Sequence, residues 1–164
     1  MNDDEKITGN TSGHIFQINA SKGGVPKVPL SQAEVNKSGL AVDRQSNPEI
    51  HGGSDQALCL YSLERILSLQ EEGHQIYPGA AGENITIAGL DWSRVEPGTR
   101  IGLGQDVLIE ITRHTSPCNS IAPVFKDKQY GRISQTKYPG WSRVYARVLK
   151  PGSIQTADRV YIVD

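Results

Sequence analysis

Cys118 is the residue best placed for nucleophilic or metal-binding chemistry. It closes the stretch Ile111-Thr112-Arg113-His114-Thr115-Ser116-Pro117-Cys118, where an alternating strand pattern runs into a proline. The thiol is therefore expected where a strand gives way to a loop. Arg113 and His114 lie just upstream, and cationic neighbours favour the thiolate, the form that attacks electrophiles and binds metals. The other cysteine, Cys59, sits in the apolar run Ala57-Leu58-Cys59-Leu60 and reads as an inert core thiol. Three further segments set polar groups beside glycine: Val42-Asp43-Arg44-Gln45, His51-Gly52-Gly53-Ser54-Asp55-Gln56-Ala57, and Gly82-Glu83-Asn84-Ile85-Thr86. Glycine pairs let the backbone approach a ligand closely and aim N–H groups at an anion. Arginines add fork-shaped donors for phosphate or carboxylate.

Each piece also has a plainer reading. His51-Gly52-Gly53 can be a tight turn, Glu83 and Asn84 can satisfy loop backbone, and Arg113 and His114 can be solvated strand ends. Cys118 alone is equally a packed small hydrophobe. His14 and His74 read as structural or surface residues. The spacing of His114 and Cys118 suits a metal, but no Cys-x-x-Cys or second histidine pair completes a zinc site. No Ser–His–acid signature, Walker loop or dinucleotide fingerprint is present.

The elements that must position these groups are mostly strands. Strands are expected at 14–19, 32–35, 39–44, 57–61, 84–87, 99–103, 107–112, 142–149 and 159–163, with loops or turns at 21–27, 45–53, 96–98, 105–106 and 150–152. One helix is expected from an N-cap at Ser62 to a stop at Gly73, burying Leu63, Ile66 and Leu67. A short second helix is compatible with the residues after Cys118. Many short strands, frequent glycine and proline and one main helix indicate a mainly β, barrel- or sandwich-like domain.

The chain's 164 residues fit one domain with a sizeable core, with 1–12 as a flexible N-terminus and 13–164 as the folded unit. A net charge of −1 gives no whole-chain electrostatic basis for binding nucleic acid or a membrane surface. Two cysteines in unlike contexts do not form a disulfide framework, so a reducing compartment is expected. The acidic N-terminus lacks a secretory h-region, and no apolar run is long enough to span a bilayer. A soluble, cytoplasmic protein is the expectation.

Taken in order, the segments resemble the MOSC family, named for the C-terminal domain of molybdenum-cofactor sulfurase. The matching residues are Gly39-Leu40 with Asp43-Arg44, His51 to Ala57, Gly82 to Leu90, Pro97 to Ile101, Pro117-Cys118, and Arg143 to Val148 with Pro151-Gly152. The resemblance implies a β-barrel-like fold with mixed strands and one or two short-to-medium helices. It also implies a molybdenum cofactor, a pyranopterin dithiolene with a terminal phosphate, whose metal Cys118 would coordinate. Thr112 and Arg113 would hold the pterin or phosphate, and His51, Gly52 and Gly53, with Asp55 and Arg44 in the same segments, would contact the cofactor or shape its pocket. Glu83 and Asn84 would position loops or hydrogen-bond the pterin edge. Val42 stands where many relatives carry glycine before the Asp-Arg pair, and Ala157-Asp158 where many have Gly-Asp.

By resemblance to amidoxime- and hydroxylaminopurine-reducing members, the leading expectation is an oxidoreductase acting on small N-hydroxylated substrates, with Cys118 as its central residue. Its electrons would come from a separate donor protein, since the sequence shows no flavin, haem or iron–sulfur motif. Two alternatives stand beside it: a non-enzymatic carrier of sulfur or cofactor using Cys118, and a small-molecule-binding barrel without the cofactor. Oligomeric state is not legible.

Overall fold

A computed structural model describes residues 11–21, 23–43 and 54–163. Its strands are β1 (Ser12–Ala20), β2 (Val28–Leu30), β3 (Gln32–Asn36), β4 (Gly39–Leu40), β5 (Leu58–Ser62), β6 (Ile85–Ala88), β7 (Arg100–Leu103), β8 (Val107–His114), β9 (Val144–Lys150), β10 (Gly152–Gln155) and β11 (Arg159–Val163). The order β1-β11-β7-β8-β9-β5-β6 returns to β1, closing a seven-stranded barrel, with β2 paired to β1 as an added edge. A three-stranded sheet, β10-β3-β4, stands beside it. Barrel neighbours are antiparallel except β5 and β6, which run parallel. A parallel pair needs a long crossover, and the chain supplies one between Ser62 and Ile85 that contains α1 (Leu63–Glu71).

Alternation decides which side chains fill the barrel. In β8, Val107, Ile109 and Ile111 are buried, and in β9 Val144, Ala146 and Val148 face the same way. Each fully buried isoleucine or leucine contributes roughly 1.5–3 kcal/mol. In β6 all four residues are buried, because the strand is central in the barrel sheet and also lies against α1.

The helix begins as expected: the Ser62 side chain accepts a hydrogen bond from the Arg65 N–H at 3.2 Å, a cap worth about 1 kcal/mol. Gly73, at φ 99°, follows the last turn. The buried face is corrected to Ile66 and Leu69, with Leu67 48% exposed. The strand expected over 39–44 is only two residues long, because Ala41 and Val42 turn away. β2 and β10 fall outside the expected strands. The helix after Cys118 is a 3-10 turn, Asn119–Val124. Among the described residues no helix is long and apolar enough to cross a membrane.

Candidate functional site

Cys118 lies where the sequence places it, exposed and just beyond the end of β8. Its carbonyl accepts from the Ile121 N–H at 3.2 Å, starting the 3-10 turn. That turn carries the Ser120 hydroxyl to 2.7 Å from the Cys118 sulfur.

The thiol opens onto a cavity of about 110 Å³, whose walls include Lys27, Asp43, Cys59, Asn84, Arg143 and Tyr145. One water needs roughly 10–15 Å³ on this measure, so the space is sized for part of an organic ligand. Cys59 is buried, as the sequence suggests, and burial pushes its thiol upward in pKa. Its location is nonetheless the wall of the same cavity.

A polar network braces one side. The Lys27 ammonium donates to both Asp43 carboxylate oxygens, at 2.6 and 2.8 Å, and both side chains are buried. The Asn84 amide donates to Asp43 at 2.9 Å and accepts the Cys59 N–H at 2.8 Å. Asn84 thereby ties the floor of the cavity to β5. Gly82, at φ 86°, makes the turn before it, and a Cβ there would press on Val25 at 3.0 Å.

Arg143 is the principal cation on the other side. It is 5% exposed, and its Nη1 donates to the Ala81 carbonyl at 2.5 Å. Its Nε is a buried donor for which the described atoms supply no acceptor. Tyr145 shares this side of β9 and pairs in register with Cys59. Burial, the largest cause, pushes its hydroxyl up to about 12 despite Arg143 and Arg113 nearby. The phenol therefore stays protonated at neutral pH and can act as a hydrogen-bond donor.

The remaining expected site residues divide. Asn84 joins Cys118 in the cavity wall. Glu83 does not line it: the side chain is fully buried behind the wall, and one carboxylate oxygen accepts from the Thr86 hydroxyl at 3.2 Å. Burial pushes this carboxyl up to about 7, against lowering by backbone N–H groups and Arg143. Arg113 is exposed and lies over the Tyr145 ring at 5.3 Å, so it backs a wall residue. The Thr112 hydroxyl donates to the Asp55 carbonyl at 2.5 Å, and the Asp55 carboxylate is 3.6 Å from Arg147. Neither Thr112 nor Asp55 lines the cavity. Arg44, His51, Gly52 and Gly53 lie outside the described residues.

Sequence reasoning missed Lys27, Tyr145 and the role of Arg143. Arg143 and Tyr145 alternate with the inward-facing Val144, and that parity was the available signal. Among the described residues no three His, Cys, Asp or Glu side chains converge as a metal-binding group.

The family model described as MOSC domain matches residues 47–161. The chain is similar to protein YiiM of Escherichia coli, 32% identical over 121 residues, covering 71% of this chain and 52% of YiiM. It also resembles a protein named Reductase from Gibberella moniliformis, 29% identical over 119 residues, covering 70% of this chain and 21% of that protein. The crystal structure of YiiM from Geobacillus stearothermophilus superposes with a TM-score of 0.71 at 27% identity, over 92% of this chain and 75% of that one. The chain thus spans about half the length of the Escherichia coli relative. With a matching family model, a relative above 30% identity and the same barrel, the chain belongs to the MOSC domain family.

Proposed function

We propose that the cavity binds a molybdenum cofactor, with Cys118 as the metal's protein ligand, and that the protein reduces small N-hydroxylated compounds. The observation that carries this reading is the meeting of an exposed thiol and a buried guanidinium in the lining of one cavity. The donor set suits the cofactor. Cys118 is a single soft donor, fitted to a metal that arrives with sulfur ligands of its own. Among the described residues the buried Arg143 Nε–H has no acceptor, and a fork of guanidinium donors suits phosphate or the polar edge of a pterin. The protein named Reductase supports oxidoreductase chemistry in the wider family.

When bound, the cofactor would supply the two-electron redox chemistry. This chain's residues would do the rest. Cys118 would hold the metal as its thiolate, which requires loss of the thiol proton. Arg143 would orient anionic groups. Lys27 is fixed by Asp43 and shapes the opposite wall, while Asn84 keeps that wall on β5. Tyr145, protonated at neutral pH, would donate a hydrogen bond to a bound oxygen or nitrogen.

The test is expression in a host that makes the cofactor, followed by measurement of molybdenum and pterin. Near-stoichiometric metal is expected in the wild type, with at least a tenfold loss in Cys118→Ala. A metal-free wild type, or a variant keeping its molybdenum with unchanged spectra, would refute the assignment. Turnover of an N-hydroxylated purine with a chemical reductant separates an enzyme from a carrier. Labile sulfur on Cys118 without turnover would favour the carrier.

A further inference from the structure

Charge is distributed unevenly along this nearly neutral chain. Residues 126–137 contain Lys126, Lys128, Arg132 and Lys137 against one acid, Asp127, whereas the whole chain carries −1. Arg132 is committed internally: Glu72 accepts from it at 2.8 Å, and its guanidinium lies 4.1 Å from the Trp141 ring centroid. Lys126, Lys128 and Lys137 are all exposed, and among the described residues none forms an ion pair. The Lys137 ammonium lies over Gly131, where an added Cβ would meet it at 3.2 Å. Lys137 thus folds back over the middle of the segment.

The segment also reaches the candidate site. One groove has Thr115, Ser116 and Pro117 on one side and Tyr130, Gly131 and Lys137 on the other. Thr115 and Ser116 also line the cavity that holds Cys118. A second groove, with Lys128, Arg132 and Tyr138, continues beyond Tyr130 and Lys137. A cationic surface therefore runs up to the wall bearing the thiol.

We propose that this segment docks the acidic face of a separate electron-carrier protein, and the inference rests on the reductase reading above. Reduction of an N-hydroxylated amine balances as R–NHOH + 2 e⁻ + 2 H⁺ → R–NH₂ + H₂O, so each turnover needs two electrons from outside and protons from water. With only two cysteines, the chain cannot supply the four thiolates of an ordinary iron–sulfur cluster. The partner is a reduced flavin protein, oxidised by both electrons, or an iron–sulfur protein of which two reduced copies deliver one electron each in successive encounters. Brief electron-transfer encounters are steered by complementary charge, which raises association rates and makes them fall with salt. Lys128 and Lys137 line the grooves that lead toward the site, and Lys126 extends the cationic segment toward Gly73. Without an ion pair among the described residues, they are the complement to an acidic carrier.

The test uses an acidic [2Fe–2S] ferredoxin as probe. Its binding to the chain is measured at low and high ionic strength, without turnover, for the wild type and the Lys126→Glu/Lys128→Glu/Lys137→Glu variant. The reversal is expected to weaken low-salt binding roughly ten- to hundredfold, and the difference should disappear near 0.5 M salt. Lys137→Glu alone should weaken it several-fold, while Lys150→Glu, outside the segment, should change it less than twofold. In the cofactor-loaded protein, turnover driven by the ferredoxin should fall with binding, whereas turnover driven by a small viologen reductant should not. Unchanged binding by the triple variant, or an equal loss in Lys150→Glu, overturns the docking surface. Molybdenum content reads out separately: metal without charge-dependent binding sinks the docking inference alone, and charge-dependent binding without metal sinks the cofactor reading alone.

Discussion

Replacing Glu83 with glutamine should change how stability depends on pH. The carboxyl is fully buried, one oxygen accepts from Thr86, and the other has no partner among the described residues. Burial is the largest influence, pushing the folded pKa up from the ordinary value of 4.5 to about 7. At 1.36 kcal/mol per pH unit, that rise costs the ionised folded state about 3 kcal/mol. The folded protein holds its proton over a range where the unfolded chain has lost it, so stability falls as pH rises. The contribution is intact below about pH 4.5, declines through the interval to about pH 7, and is lost above it. Glutamine stays neutral and removes this dependence. Urea unfolding of both proteins at pH 5 and pH 8 should show the stability difference moving by about 2.5 kcal/mol in favour of Glu83→Gln at the higher pH. His114, whose burial lowers its pKa, adds a slope of opposite sign, but it does so in both proteins and cancels in the difference. Parallel pH curves, with a difference constant within about 0.5 kcal/mol, would refute the reasoning.

Further substitutions probe the site's supports. Asp43→Ala leaves the buried Lys27 ammonium without its carboxylate and should cost about 3–5 kcal/mol in urea unfolding, with Lys27→Met in the same chain recovering most of it. Asn84→Ala removes the acceptor of the Cys59 N–H and a donor to Asp43; a loss of about 1–3 kcal/mol is expected from the same measurement. Tyr61→Phe strips the Trp141 carbonyl of the hydroxyl that donates to it at 2.5 Å and should lower thermal stability by about 1–2 kcal/mol. Cys118→Ala should leave stability within about 0.5 kcal/mol, because the residue is exposed, while abolishing molybdenum retention.

Elements with sustained local patterning were legible. β8 and β9 alternate over seven or eight residues, and α1 has a capping serine and a terminating glycine. β2 escaped notice because it is three residues long and contains Pro29, and β10 because its first residue, Gly152, belongs to a turn signature. The helix face was misjudged by choosing Leu67, four residues after Leu63, over Leu69, three residues after Ile66; both spacings fit a helical stripe, and the structure buries the second. At the site, Cys118 was findable because a strand end and a proline are local features. Lys27 and Arg143 were harder: Arg143 is brought to Cys118 by the pairing of β9 with β5 and β8, and Lys27 is placed by the pairing of β2 with β1 and by its N–H donating to the Gly79 carbonyl, none of which a local window records. Glu83 was recognised as part of a motif, but its burial behind the wall depends on β6 packing beneath it.

The closure of β1 against β11 bears on the order in which this protein can be completed. Ser12 pairs with Tyr161, so β1 waits for β11, made about 140 residues later, before that edge is covered. The cavity walls are similarly scattered, from Lys27 to Tyr145, and no early part of the chain contains them all. Folding dominated by such distant pairings falls in the slower, millisecond-to-second range of small domains. Occupancy of the cavity is consequently a late event in the protein's life, and a bound ligand would mark chains that have finished folding.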